Sequence, residues 1–69
     1  MNSYDCKGKG MVWFRRIQAE TVEEALLKYF ESFTIMQHML LIIKFDNKIR
    51  NYKLTRKAGN IVIKELFDC

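Results

Sequence analysis

The sequence predicts an α+β domain: one helix packed across a small, mostly antiparallel four-stranded sheet, in the order β-α-β-β-β. Three observations predict it. Met39 to Phe67 reads as three strands joined by tight turns at Asp46-Asn47 and Ala58-Gly59. Val22 to Phe33 carries an apolar stripe at helical spacing. The registers that the two turns impose agree on which side chains share a face, and a slip of one residue would scatter that set.

A chain of 69 residues leaves room for one domain. Such a chain buries only about 60% of its unfolded surface, so its stability is expected to be marginal. Its hydrophobic fraction of 49%, with no proline, is that of a globular chain rather than a disordered one. Met1 to Gly10 is read as a flexible basic arm, because Lys7-Gly8-Lys9-Gly10 offers charge and freedom but few strand formers. Residues 11–69 are read as the domain. GKG lacks the spacing and the following Ser or Thr of a phosphate loop.

Met11 to Ala19 is read as the first strand, with Met11, Trp13, Ile17 and Ala19 on one face. Trp13 is expected to anchor the core; base stacking or partner binding is the alternative. The helix starts at the clearest local signal in the chain. Thr21 to Glu24 has the S/T-x-x-E form, in which the hydroxyl accepts from the Glu24 amide while the carboxylate reaches back. Glu20, Glu23 and Glu24 suit the positive end of the helix dipole. Val22, Ala25, Leu26, Tyr29, Phe30 and Phe33 then form one broad stripe. The helix is expected to end between Ser32 and Gln37.

A two-residue turn at Asp46-Asn47 pairs Phe45 with Lys48, Ile43 with Arg50, Leu41 with Tyr52 and Met39 with Leu54. A turn at Ala58-Gly59 pairs Arg56 with Ile61, Leu54 with Ile63 and Tyr52 with Glu65. Both place Met39, Leu41, Ile43, Phe45, Tyr52, Leu54, Ile61, Ile63 and Phe67 on one face, which is the receiver for the helix stripe. The β-α-β-β-β order is similar, in topology alone, to cystatin-like folds, a likeness that carries no function with it. The opposite face holds Leu40, Ile42, Ile49, Val62 and Leu66 among Lys44, Asn51, Lys53, Thr55 and Lys64. Five large apolar side chains on a face otherwise open to water point to a covered surface, and these five are the expected protein interface.

The net charge is +4, but the signs are segregated: Glu20, Glu23, Glu24 and Glu31 lie on or beside the helix, and most cations lie on the three-stranded stretch. No catalytic constellation is visible. His38 is the sole histidine and has no ligand set at metal-binding spacing. Cys6 and Cys69 form no C-x-x-C and sit in no nucleophile motif; two free thiols are expected, with a terminal disulfide as the alternative. No enzyme activity, metal or cofactor is therefore expected. Neither a transmembrane run, a signal sequence nor a lipidation motif is present in these residues, so the expected location is cytoplasmic, without a membrane partner.

The expected function is a small regulatory or inhibitory domain that binds protein, acting as a homodimer, of a kind that phage and mobile-element genes often encode. The alternative is nucleic-acid binding through the basic hairpin 48–57, with Arg50, Lys53, Arg56 and Lys57 as the contacts.

Overall fold

The computed structural model describes residues 1–67. Its elements are β1 (Asn2–Gly8), β2 (Arg15–Ala19), α1 (Val22–Glu31), β3 (His38–Phe45), β4 (Lys48–Lys57) and β5 (Asn60–Leu66). The strands form one sheet in the order β2-β1-β3-β4-β5, and every neighbouring pair is antiparallel. The expected four-stranded β-α-β-β-β domain is thus corrected to a five-stranded β-β-α-β-β-β one, and the likeness to cystatin-like folds falls with it.

The added strand is the stretch expected to be a flexible arm. Asn2–Gly8 does not hang free: it lies inside the sheet, with Tyr4 opposite Ile17 on one side and Cys6 opposite Ile43 on the other. Tyr4, Cys6 and Gly8 point inward and are buried, while Ser3, Asp5 and Lys7 alternate outward. Propensity alone misses this strand because Asn, Asp, Lys and Gly are poor strand formers. Two flanking ladders supply the hydrogen bonds that propensity does not.

The expected nine-residue first strand is also corrected. Only Arg15–Ala19 is strand, and of its expected inward face only Ile17 and Ala19 are buried. Gly10 adopts φ 92°, a conformation open to glycine, and the chain turns there instead of running straight on. Met11 to Phe14 becomes the exposed link between β1 and β2. Trp13 is 83% exposed, so its reading as a core anchor is overturned.

The helix follows the sequence closely. Thr21 is the N-cap, accepting from the Glu24 amide at 3.1 Å. The Glu24 carboxylate reaches back to the Glu20 amide at 3.3 Å, one residue beyond the usual capping-box partner. Ala25, Leu26, Tyr29 and Phe30 are buried against the sheet, with Val22 and Phe33 half-buried at the stripe's ends. The helix closes at Ser32, whose hydroxyl donates to the Tyr29 carbonyl at 2.6 Å.

The two C-terminal hairpins have the expected registers throughout. Asp46 and Asn47 both take positive φ, as do Ala58 and Gly59, which is the type I′ geometry that matches strand twist. Met39, Leu41, Ile43, Tyr52 and Leu54 are buried and Ile61 and Ile63 half-buried, while Phe45 and Phe67 are exposed. The reason is the helix's position. It packs over β2, β1 and β3, so Ile61, Ile63 and Phe67 at the β5 side extend past its cover, and Phe45 is the last residue of β3, next to the Asp46-Asn47 turn. Phe45 partly compensates by packing on Tyr4 with ring centroids 4.4 Å apart.

Candidate functional site: the open face of the sheet

Among the described residues, the sheet has one face under α1 and an opposite face that no helix covers. Side chains alternate, so the registers assign each strand residue to a face. On the open face, Leu40 and Ile42 stand side by side along β3. Asn51 lies opposite Ile42 and Leu66 opposite Asn51, which makes a row across three strands. Ile49 opposes Lys44, and Val62 opposes Thr55. The five expected interface residues therefore share one face. Leu40, Ile49 and Val62 are exposed, and Ile42 and Leu66 are half-buried.

Cations surround them. Lys7 on β1 sits opposite Ile42 and lies over the Phe14 ring at 4.9 Å, so the row continues to the β1–β2 link. Lys53 lies between Leu40 and Lys64. Among the described strand residues this face carries Lys7, Arg16, Lys44, Lys53, Lys57 and Lys64 against Asp5 alone, and Asp5 is already paired with Arg16 at 3.4 Å. The helix side carries the acids: Glu23 and Glu31 are exposed, and Glu24 pairs with Lys28 at 3.2 Å.

The four residues of the nucleic-acid alternative are not brought together. Lys53 and Lys57 lie on the open face, whereas Arg50 and Arg56 share the helix side with Tyr52 and Leu54. Arg56 is engaged in holding the fold. Its Nη2 donates to the carbonyls of Phe30 and Phe33, each at 3.2 Å, and its guanidinium lies 4.5 Å from the Phe30 ring centre. The Arg56 amide also donates to the Gln37 carbonyl at 2.8 Å, and the Gln37 side chain returns a bond to the Arg56 carbonyl. An arginine on β4 thus caps the helix C-terminus, where free carbonyls and the dipole favour a cation.

A second surface escaped sequence reasoning. The β1–β2 link and the α1–β3 loop meet at one end of the sheet, where Met11 and Met36 line a shared cavity with Gly8, His38 and Met39. Val12 and Trp13, which follow Met11, and Ile35, which precedes Met36, are exposed by 76%, 83% and 94%. The available signal was Gly10, placed where the strand pattern should begin, together with Arg15 interrupting its apolar face.

His38 is exposed at the start of β3. No group of three or more His, Cys, Asp and Glu side chains among the described residues is placed to hold a metal ion. Cys6 is fully buried; desolvation, reinforced by the Asp5 charge, pushes its thiol up to about 11. Burial likewise raises the Tyr52 phenol, which donates to Glu65 Oε1 at 3.3 Å. Cys69, the other half of the terminal disulfide considered above, lies outside the described residues. No helix among the described residues is long and apolar enough to cross a membrane. No family model, no curated protein sequence and no solved structure matches the chain.

Proposed function

We propose that the chain is a non-enzymatic regulatory domain that binds another protein through the open face of its sheet. One observation carries this reading: the registers put Leu40, Ile42, Ile49, Val62 and Leu66 together on the face opposite the helix, where Leu40, Ile49 and Val62 are exposed. Water-exposed apolar side chains of this size stabilise the chain only when something packs on them. Self-association through this face is the weaker form of the reading. A two-fold dimer would set one copy's lysines against the other's, and like charges brought together at an interface cost affinity. The nucleic-acid reading is weakened by the division of Arg50 and Arg56 from Lys53 and Lys57.

The test is a photo-crosslinking residue placed at Ile49, on the open face, and separately at Glu31, on the helix. Cells producing each version are irradiated and the adducts identified by mass. Protein adducts from position 49 that are missing from position 31 support the reading. Equal adducts from both positions, or none from 49, refute it.

A further inference from the structure

The open face contains a pairing that folding does not explain. Lys53 and Lys64 stand directly opposite one another on β4 and β5, and both are exposed. Like charges directly opposed across a strand pair destabilise a sheet. Neither lysine makes an ion pair or side-chain hydrogen bond among the described residues. Beside them lie Leu40 on the same row and the Ile42–Asn51–Leu66 row next to it. An uncompensated cation pair next to an apolar floor is complementary to a ligand that brings carboxylates and an apolar edge together.

Resting on the protein-binding reading above, we infer that the open face docks an acidic amphipathic helix of a partner protein. Leu40, Ile42 and Leu66 receive its apolar stripe, and Lys53 and Lys64 receive the carboxylates that flank it. A sheet face offers side chains and no free backbone hydrogen bonds, so the docking segment must already satisfy its own backbone, as a helix does. The same sheet takes α1 on its other face by that principle. The dimensions agree: five strands spaced by about 4.8 Å make a floor roughly 20 Å across, the length of a helix of about 14 residues. The strand residues of this face include no Phe, Tyr or Trp among the described residues, and the aromatic beside it, Phe14, is engaged under Lys7, so the face offers no row of rings on which successive bases would stack.

The probe is a helix-forming peptide of about 14 residues, with leucine at i, i+3, i+4 and i+7 and glutamate on the flanking positions. Its twin carries glutamine for every glutamate, and an oligothymidine strand is the third ligand. Each is titrated into the isotopically labelled protein and followed by amide shifts. The expected result is shifts centred on Ile42, Lys53, Lys64 and Leu66 with the acidic peptide. The glutamine twin should bind about tenfold more weakly, or ~1.4 kcal/mol.

Lys64→Glu separates function from folding by sign. It turns a repulsive cross-strand pair into an attractive one, so the variant should melt no lower than the parent, while its affinity for the acidic peptide falls about tenfold. Ile42→Asp should abolish binding, with shifts in the helix region showing that the fold is kept. Equal binding of the glutamine twin, unchanged affinity in Lys64→Glu, tighter binding of oligothymidine than of the peptide, or no response to the peptide overturns the inference. Position-49 adducts that persist in the face of such a result leave the protein-binding reading standing and remove only the acidic helix.

Discussion

Replacing Arg56 with alanine tests the contact that ties the helix to the far half of the sheet. The side chain gives two hydrogen bonds from one charged Nη2 to the carbonyls of Phe30 and Phe33, both at 3.2 Å. A hydrogen bond to a charged group contributes about 1.5–3 kcal/mol, and two that share one nitrogen are worth less than twice that. Stacking over the Phe30 ring at 4.5 Å adds about 0.5–1 kcal/mol. Against these stands the cost of the Arg56 Nε, buried without a partner, at about 1–3 kcal/mol. The balance is a loss of roughly 2 kcal/mol for Arg56→Ala. A domain of this size has a total stability of only about 3–10 kcal/mol, so the loss is a large share of it.

The assay is urea unfolding followed by far-ultraviolet circular dichroism. The midpoint should fall while the slope is unchanged, since the surface exposed on unfolding is nearly the same. Arg56→Lys should recover part of the loss, because it keeps the charge at the helix end but not the planar fork. An Arg56→Ala protein within about 0.5 kcal/mol of the parent would refute the reasoning, and the arginine would then be an ordinary surface cation.

Four further outcomes follow from local features. The Cys6 thiol is raised from 9.0 to about 11 in the folded chain, so the unfolded chain ionises first; stability is whole below pH 9 and falls as pH rises toward 11. Cys6→Ala should flatten that alkaline limb by up to ~3 kcal/mol, read as the pH dependence of the urea midpoint, and an unaltered limb would contradict the burial argument. Thr21→Ala removes the N-cap and should cost about 1 kcal/mol, while Thr21→Ser should cost little; equal losses would show that the hydroxyl is not the source. Ala58 holds φ 50°, where a side chain other than Asn or Gly is strained, so Ala58→Asn should stabilise the fold by about 0.5–1 kcal/mol, read as a higher melting midpoint, and a decrease would count against the type I′ turn. Trp13, the single tryptophan, should emit as a solvated indole, and Trp13→Ala should change stability by less than about 0.5 kcal/mol; a blue-shifted emission would return it to the core.

Where the controlling interactions are close in sequence, the residues alone determined the outcome. Thr21 and Glu24 start the helix, its stripe orients it, and two I′ turns set the register of β3, β4 and β5. The period of two then placed Leu40, Ile42, Ile49, Val62 and Leu66 on one face, so most of the candidate site was legible before any fold was known. Tertiary structure decided the rest. Asn2–Gly8 is a strand because β2 and β3 flank it, and the inward alternation of Tyr4, Cys6 and Gly8 was outweighed, in sequence, by weak strand formers. Arg56 reads as one more cation until the fold brings it to helix carbonyls more than twenty residues earlier. Trp13 reads as core until Gly10 turns the chain outward. The opposed lysines acquire their meaning from register and from the open face together. Local hydrogen bonding and periodicity are written along the chain, whereas burial and charge pairing depend on which distant segments arrive at the same place.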